Sequence, residues 1–276
     1  MMTRSVRRTR RMLPLAGVGV AALLALSACS SSDGSTPAKA DSSDSASASP
    51  KLKGDVTVFA AASLKETFTT LGKEFEKQHP GTKVEFNFGG SDTLAASITS
   101  GAPADVFAAA SPKTMQIVTD KKDAVGTPAT FVRNQLEIAT LPGNPDKIES
   151  LKDLTDPKLK VVLCDKTVPC GAAAQKVLDA NHLKVTPVSY EQDVKSALNK
   201  VQLKEADASL VYKTDVKAAQ GKVAGVEFAE SKDAINDYPI ALLKNSDNAE
   251  TAKAFIALVQ SPEGQKVLTQ AGFLKP

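Results

Sequence analysis

The hydrophobic positions after residue 54 follow two alternating periods. Apolar residues in 55–60 and 83–88 fall in short runs that are typical of strands. Between these runs the apolar side chains recur at helical spacing, at Leu64, Phe68, Leu71 and Phe75. Ser63, with Glu66 three residues later, predicts the start of this helix, and Ser91 predicts the start of the next one. Strands that alternate with amphipathic helices favour an α/β fold with mostly parallel sheets.

The same order of elements continues in the rest of the chain. Apolar runs predict further strands at 105–109, 136–141, 160–164, 207–212 and 238–243. Helical periodicity predicts helices between these strands and two more helices before the C-terminus. The chain after the first fifty residues is long enough for one large domain or for two lobes with a core each.

The first 28 residues have the features of an export signal. Five arginines precede an apolar run at 12–25, which contains Pro14 and is shorter than the roughly 20 residues that span a bilayer. The run ends in Leu26-Ser27-Ala28-Cys29, which is similar to the lipobox of bacterial lipoproteins. This similarity implies cleavage before Cys29 and lipidation of its sulfur. An ordinary secretory signal with an incidental cysteine is the alternative, and the export route stays open.

The segment after Cys29 predicts no folded structure. Residues 30–50 are rich in serine, alanine and aspartate and carry too little apolar surface to offset the entropy of ordering the chain. We therefore expect 29–52 to be a disordered tether between the lipid and the folded part.

The charge of the chain argues against a nucleic-acid partner. The full sequence has 34 basic and 31 acidic side chains, a formal net charge of +3. Five of the 34 are the arginines of the export signal, so 29 basic residues remain against 31 acidic ones, a formal charge of about −2. Neither a basic stripe nor a surplus of aromatic residues remains for nucleic-acid binding.

The cysteines agree with an exported protein. After Cys29 only Cys164 and Cys170 remain, an even pair in an oxidising compartment, and we predict a disulfide between them. Two free thiols are the alternative, because a spacing of six residues does not by itself guarantee the required geometry.

The sequence lacks the motifs of common enzyme classes. It contains no phosphate-binding loop, no dinucleotide-binding glycine pattern, no serine-hydrolase elbow and no zinc-protease motif. Its two histidines, His79 and His182, follow predicted helices in polar surroundings and are expected on the surface. Hydrolytic and zinc chemistry are therefore disfavoured.

Small residues stand where predicted strands pass into helices. Ser63 follows the first strand, Ser91 follows the second, and Cys170-Gly171 follows a strand of the second group. Helix N-termini offer unpaired N–H groups and a partial positive charge, so several of them at one sheet edge predict an anion site. The alternative is that each serine only caps its own helix.

The scarcity of arginine limits the kind of anion site. After the export signal the chain has a single arginine, Arg133, so a bidentate arginine clamp is hard to assemble. Hydroxyl and backbone N–H groups are then the expected donors. A site with donors alone suits an anion that carries no proton at neutral pH.

Seven segments resemble the molybdate-binding proteins of bacterial uptake systems. They occur in the order found in that family and cover nearly all of 55–273. The segments are VFAAASL at 58–64, FGGSDTL at 88–94, GAPADVF at 101–107, VPCG at 168–171, EQDV at 191–194, LVY at 210–212 and YPI at 238–240.

The resemblance implies an oxyanion site for molybdate or tungstate on five residues. It implies that Ser63 and Ser91 donate hydroxyl and backbone hydrogens to the anion. It further implies backbone N–H donors at Cys170 and Val194 and a hydroxyl donor at Tyr212. Cys170 replaces the alanine usual in the family, which a backbone donor should tolerate. No catalytic residue, no cofactor and no metal held directly by side chains is implied.

The resemblance also implies the architecture and the partners. We expect a two-lobed type II periplasmic-binding-protein fold, in which each lobe is a mostly parallel sheet flanked by helices. Two crossovers would join lobe 1, residues 53–134 plus 236–276, to lobe 2, residues 135–235. The protein is expected to be a monomer rather than an enzyme, anchored by its lipid to the outer face of the cell membrane. It would deliver its ligand to an ABC permease in that membrane.

Four other functions stay open at this point. The same fold could bind a sulfate-like oxyanion, or a ferric ion, which needs clustered tyrosines. The chain has Tyr190, Tyr212 and Tyr238 for that purpose, with no adjacent pair. A secreted enzyme with Ser63 as nucleophile would need a base that no motif supplies, and a purely structural surface lipoprotein is the last alternative.

Overall fold

The computed structural model of this protein describes residues 52–276. The predicted export signal, the predicted lipidation site Cys29 and almost all of the predicted tether lie outside the described residues. Between residues 52 and 276, no helix combines the length and the apolar character needed to cross a bilayer.

The described residues form ten strands, eight α-helices and three short 3₁₀ helices. The strands are β1 (Gly54–Ala61), β2 (Thr82–Gly89), β3 (Val106–Ala108), β4 (Ala124–Asn134), β5 (Leu136–Thr140), β6 (Val161–Cys164), β7 (Ser189–Glu191), β8 (Ala208–Tyr212), β9 (Ala224–Val226) and β10 (Asn236–Leu243). The α-helices are α1 (Lys65–Gln78), α2 (Ser91–Thr99), α3 (Pro112–Asp120), α4 (Pro169–Ala180), α5 (Val194–Gln202), α6 (Lys213–Ala218), α7 (Ala249–Gln260) and α8 (Pro262–Gln270). The 3₁₀ helices are Ala62–Leu64, Leu151–Thr155 and Ala229–Ala234.

The strands form two five-stranded sheets of the same topology. The strand order is β2-β1-β3-β10-β4 in the first sheet and β7-β6-β8-β5-β9 in the second. In each sheet four strands run in one direction, and the fifth, β10 or β5, is antiparallel to both of its neighbours. The predicted fold, two lobes with mostly parallel sheets flanked by helices, is confirmed. The reversed strand in each sheet was not predicted.

The chain passes between the two sheets at two places, and the reversed strands begin there. Gln135 separates β4 of the first sheet from β5 of the second, and Ile235 precedes β10, which returns to the first sheet. We call the parts built around the first and second sheets lobe 1 and lobe 2. At the crossover, Arg133 Nε lies 2.6 Å from Asp237 Oδ1 on the paired strand. Arg133, the one arginine after the export signal, therefore pairs with Asp237 beside the crossover and does not line the cavity between the lobes.

Helix α1 packs into the core of lobe 1 through the apolar side chains whose spacing predicted it. Phe68, Leu71 and Phe75 are fully buried. The rings of Phe68 and Phe75 meet the ring of Phe255 in α7 edge to face, with centroids 5.9 and 5.7 Å apart. Such aromatic pairs add about 0.5–1.5 kcal/mol to the free energy gained by burial alone, so the helical spacing of these residues follows from the core that they fill.

A disulfide joins the end of β6 to the first turn of α4. The sulfurs of Cys164 and Cys170 are bonded and their Cα atoms lie 5.8 Å apart, as the sequence predicts. The loop that they close packs tightly against the helix start, because a Cβ added to Gly171 would lie 1.9 Å from the carbonyl oxygen of Asp165. The bond and the glycine together hold this loop against α4.

We expect the double variant Cys164→Ala/Cys170→Ala to be less stable than the wild type. The six-residue separation closes a short loop, for which the loss of chain entropy in the unfolded state predicts a decrease of about 2 kcal/mol in the free energy of unfolding. Denaturant titration of the oxidised proteins measures this difference. Wild type treated with reductant is the control, and equal midpoints for the oxidised wild type and the variant would contradict the prediction.

Candidate ligand-binding site

The five predicted site residues line one small cavity between the lobes. Ser63 and Ser91 reach it from lobe 1, and Cys170, Val194 and Tyr212 reach it from lobe 2. Its volume of about 20 Å³ exceeds the roughly 10–15 Å³ that one water molecule requires. It is far below the roughly 300–1,000 Å³ typical of pockets for organic ligands. The cavity therefore suits a small inorganic ion.

Ser63 does not cap α1, and the predicted capping box is wrong. The residue lies inside the 3₁₀ helix Ala62–Leu64 that precedes α1, and no side-chain cap bond forms at either helix start. Its Oγ instead lies 2.9 Å from the hydroxyl of Tyr238. The Ser63 hydroxyl is therefore held at the cavity by a residue of β10.

Ser91 does not cap α2 either. Gly90 is the N-cap and Ser91 is the first helical residue, so its hydroxyl makes no cap bond. Ser91 Oγ accepts a hydrogen bond of 3.0 Å from the backbone N–H of Ala110, which follows β3. Since neither Ser63 nor Ser91 serves the start of its own helix, the alternative that they are only caps is wrong.

Three helix starts contribute backbone N–H groups at the cavity. The first N–H group that bonds to a carbonyl of its own helix start belongs to Leu94 in α2, to Ala172 in α4 and to Ala197 in α5. Ser91, Cys170 and Val194 precede these residues, in the part of each helix where N–H groups have no intrahelical acceptor. Partial positive charge accumulates at the same ends, so the starts of three helices that line one cavity favour an anion there.

The cap of α5 leaves its first N–H group unused. Asp193 Oδ1 accepts the N–H groups of Lys195 and Ser196 at 2.8 and 2.9 Å. Val194, between the cap and these residues, receives no bond from the carboxylate and lines the cavity. Asp193 is the only charged residue among those that line the cavity in the described part of the chain. Residues 52–276 contain no group of three or more His, Cys, Asp or Glu side chains placed to hold a metal ion.

Tyr212, which lines the cavity, and its neighbour Tyr238 are both buried. The rings of Tyr212 and Tyr238 pack edge to face with centroids 6.0 Å apart. Burial raises the pKa of the Tyr212 hydroxyl well above its ordinary value, and the nearby Tyr238 and Asp215 act in the same direction. Burial likewise raises the pKa of Tyr238. Both hydroxyls therefore keep their protons and remain hydrogen-bond donors.

Two asparagines and Tyr238 also belong to this site, although the sequence did not predict them. Asn236 Nδ2 donates to the Tyr212 hydroxyl at 2.7 Å and to the Ala110 carbonyl at 2.9 Å. Asn134, fully buried, has its Nδ2 3.3 Å from the Tyr238 hydroxyl. Both asparagines stand at the crossovers, and this position was the available signal, since a polar residue between two predicted lobes is placed to contact both.

Beside the cavity an ion-pair network connects the two lobes. Lys195 Nζ, in lobe 2, lies 2.9 Å from the carboxylate of Glu66 in lobe 1 and 3.0 Å from Asp215 Oδ1 in its own lobe. The Asp215 side chain is fully buried and that of Lys195 is 22% exposed. Burial raises the pKa of Asp215 to about 6, although Lys195 opposes this shift. Burial lowers the pKa of Lys195, but Asp215 and Glu66 outweigh it and the pKa lies above its ordinary value.

Gly90 marks a second close contact between the lobes. A Cβ at this position would lie 2.4 Å from the backbone carbonyl oxygen of Gln192 in lobe 2. Adjacent Gly89 has room, because its nearest neighbour would be Leu94 Cδ2 at 3.7 Å. The absence of a side chain at Gly90 therefore allows the lobes to meet beside Ser91.

The chain is similar to known proteins over nearly all of its described length. Residues 56–274 match a family model described as bacterial extracellular solute-binding protein. The molybdate-binding protein ModA of Mycobacterium tuberculosis is 43% identical over 221 residues, 80% of this chain and 85% of that protein. ModA of Haemophilus influenzae is 34% identical over 240 residues, 79% of this chain and 89% of that protein.

One solved structure shows the same fold. The periplasmic molybdate-binding protein of Azotobacter vinelandii superposes with a TM-score of 0.70 over 80% of this chain and 99% of that chain. Its sequence identity to this chain is 20%, so the likeness concerns the fold alone.

We expect Gly90→Ala to weaken oxyanion binding more than it destabilises lobe 1. The added methyl group would lie 2.8 Å from Asp92 Oδ1 within lobe 1, where the side chain can turn away, but its collision with the Gln192 backbone at 2.4 Å arises only when the lobes are closed. An overpacking penalty of about 1–3 kcal/mol corresponds to a dissociation constant about 5- to 150-fold higher. Isothermal titration with molybdate measures the change. Gly89→Ala is the matched control and should bind like the wild type; equal affinities for both variants would contradict the role of Gly90.

We expect the stability of Lys195→Met to fall more steeply with pH than that of the wild type. Because the native pKa of Asp215 lies above its ordinary value, the native state binds the extra proton between about pH 4 and 6, and the contribution of Asp215 to stability is lost as pH rises through this window. Removing Lys195 raises this pKa further and extends the window upward. The variant should be less stable by about 2 kcal/mol near pH 8.

Denaturant titrations from about pH 5 to pH 8 measure this dependence. The double variant Lys195→Met/Asp215→Asn is the control, because it has no carboxyl group to titrate at this position and should lose the additional slope. Parallel stability curves for wild type and Lys195→Met would refute the assignment.

Proposed function

Because the chain belongs to the bacterial extracellular solute-binding protein family, we propose that it captures molybdate or tungstate outside the cell membrane and delivers the ion to an ABC permease. The observation that carries this proposal is the cavity of about 20 Å³ lined by Ser63, Ser91, Cys170, Val194 and Tyr212. Relatives named molybdate-binding protein, at 43% and 34% identity, support the choice of ligand.

The donors at the cavity match an unprotonated tetrahedral dianion. Three hydroxyls and the N–H groups of three helix starts lie around a space for one small ion. A hydrogen bond to a charged acceptor contributes about 1.5–3 kcal/mol, and an enclosed anion needs several of them because its desolvation is costly. Phosphate near neutral pH carries a proton and would also need an acceptor, whereas Asp193, the carboxylate that lines the cavity, already accepts from the N–H groups of Lys195 and Ser196 and from the Ser196 hydroxyl. The proposal therefore includes discrimination against phosphate.

Sulfate has the same charge and shape as molybdate, and its binding is the nearest alternative. The donors do not separate the two ions, since both are unprotonated tetrahedral dianions. The choice of molybdate or tungstate is supported by the relatives that are molybdate-binding proteins. Isothermal titration with sulfate and molybdate distinguishes these ions.

Ferric-ion binding and serine catalysis fit the site less well. A ferric site needs phenolate oxygens, whereas burial raises the pKa of both Tyr212 and Tyr238. A serine nucleophile needs a base, whereas Ser63 Oγ contacts the Tyr238 hydroxyl, which keeps its proton. We therefore assign no catalytic residue, no cofactor and no metal bound directly by side chains.

The proposal extends to the parts of the chain on which transport depends. Residues 1–28 would direct export, lipidated Cys29 would anchor the protein to the outer face of the membrane, and 29–52 would be the tether. We assign 53–134 plus 236–276 to lobe 1 and 135–235 to lobe 2. A monomer closes around the ion by hinge motion at the two crossovers, and the permease receives the ion from the closed form.

We expect the wild type to bind molybdate and tungstate far more tightly than phosphate, and Ser63→Ala to weaken molybdate binding by about 10- to 100-fold. The variant loses one hydrogen bond to a charged ligand. Isothermal titration with molybdate, tungstate, sulfate and phosphate measures both effects.

Ser261→Ala is the matched control for this experiment. Ser261 caps α8, where its Oγ accepts the N–H of Gly264 at 3.1 Å. Its loss should lower stability by about 1 kcal/mol and leave affinity unchanged. Tight sulfate binding without molybdate binding would overturn the proposed ligand, and unchanged molybdate affinity in Ser63→Ala would overturn the proposed site.

A further inference from the structure

A hydroxyl group can donate one hydrogen bond and also accept hydrogen bonds, so a hydroxyl in an anion site is ambiguous. If its hydrogen points to another group, a lone pair faces the anion and repels it. If a protein donor occupies the acceptor side, the hydrogen can turn to the ligand. The three hydroxyls at the cavity belong to Ser63, Ser91 and Tyr212, and each receives such a donor or adjoins one.

The Ser91 hydroxyl has a donor with a fixed direction. The Ala110 backbone N–H donates to Ser91 Oγ at 3.0 Å. A backbone N–H cannot accept in return, so Ser91 must direct its own hydrogen elsewhere. Ser91 is 1% exposed and lines the cavity, which leaves a bound ligand as the natural acceptor.

The Tyr212 hydroxyl has a donor in Asn236, and the orientation of this amide is unambiguous. Asn236 Nδ2 lies 2.9 Å from the Ala110 carbonyl oxygen, which can only accept, so the amide nitrogen must face it. The same nitrogen donates to the Tyr212 hydroxyl at 2.7 Å, and the Pro169 carbonyl oxygen lies farther from it, at 3.4 Å. Asn236 therefore occupies the acceptor side of Tyr212 and leaves the phenol hydrogen for the cavity.

The Ser63 hydroxyl is reached through two residues. Asn134 Oδ1 accepts the backbone N–H of Gln135 at 3.0 Å, which fixes the orientation of the amide. Asn134 Nδ2 therefore donates to the Tyr238 hydroxyl at 3.3 Å. Tyr238 can pass its hydrogen to Ser63 Oγ, at 2.9 Å, or to the nearby Tyr212 hydroxyl, and the contact with Ser63 has the hydrogen-bond geometry. Ser63 in turn has its acceptor side occupied and can direct its hydrogen to the ligand.

We propose that Asn236 and the Asn134–Tyr238 pair are positioning residues that set the direction of the hydroxyl hydrogens at the cavity, and so select fully deprotonated tetrahedral dianions over anions that carry a proton. This inference rests on the proposed function. It adds that selectivity depends on residues that do not line the cavity. Because each hydroxyl turns its hydrogen to the ligand, the proton of a protonated oxyanion meets the hydrogens of Ser63, Ser91 and Tyr212 and not their lone pairs.

Two variants test this assignment through the ratio of affinities. Asn236→Asp replaces the donor by an acceptor, which attracts the Tyr212 hydrogen away from the ligand. Tyr238→Phe removes the donor to Ser63 and frees the oxygen of that serine to accept. We expect each variant to bind molybdate at least about tenfold more weakly. The affinity for phosphate, whose proton can now be accepted, should fall less or should rise. The ratio of the phosphate to the molybdate dissociation constant should therefore fall by about tenfold or more.

The ratio of the phosphate to the molybdate dissociation constant distinguishes a positioning role from a merely structural one. A general distortion of the cavity would weaken both anions by the same factor and leave the ratio unchanged. Asn199→Asp, at an exposed position of α5, adds the same negative charge outside the cavity and is the control for long-range repulsion. Tyr238→Phe changes only one hydroxyl group, so it keeps the test available if Asn236→Asp fails to fold, which thermal unfolding would show.

Isothermal titration of the wild type and the three variants with molybdate and with phosphate, near neutral pH, measures these ratios. A narrowed ratio in Tyr238→Phe and in folded Asn236→Asp, with an unchanged ratio in Asn199→Asp, supports the proposal. An unchanged ratio, or phosphate binding that stays undetectable in the variants, overturns it. A wild type that binds no molybdate or tungstate would refute the proposed function itself, which is a different outcome from a wild type that binds with no change of ratio in the variants.

Discussion

An anion enclosed in a cavity that no cation lines must be held by hydrogen-bond donors, because each lost water contact has to be replaced. The two sheets provide donors in the same way. Ser63 follows β1 and Ser91 follows β2, while Cys170 and Val194 follow β6 and β7, the strands at the same places in the second sheet. Two lobes with one topology thus face each other with the same edge, where parallel strands end and helices begin. The dipoles of these helices supply the positive field that side chains would otherwise supply.

The junction of the lobes and the cavity share residues, and this relates closure to binding. Asn236 stands at the start of β10 and bonds to Ala110 in lobe 1 and to Tyr212 in lobe 2. The geometry of the Tyr212 hydroxyl therefore depends on the relative position of the lobes. An ion held by both lobes and a network formed only when the lobes meet stabilise the same closed state. Lys195 and Glu66 add a contact of the same kind outside the cavity.

The local pattern of the sequence predicted the alternation of strands and helices because buried side chains such as Phe68 and Phe75 repeat at the period of their element. It missed β4, whose first seven residues have no buried side chain and include a glycine and a proline. The five site residues came from a family resemblance, and their place around one cavity could not be read from spacing. The serine caps were wrong because Ala61 and Gly90 each take the N-cap position. The bond from Ser63 to Tyr238 spans 175 residues, so no local pattern could reveal it.

The cavity is built in advance by covalent and hydrogen-bonded supports, and this bears on how tightly it can bind. In lobe 2 the disulfide holds Cys170 at the start of α4, and in lobe 1 Tyr238 holds Ser63. Donors that are already ordered lose little conformational entropy when a ligand arrives, so more of the hydrogen-bond energy appears as affinity. Cysteine is suited to position 170 for the same reason, since the residue lines the cavity while its side chain bonds to Cys164. The side chain can change there without changing the donor, provided that the loop stays fixed.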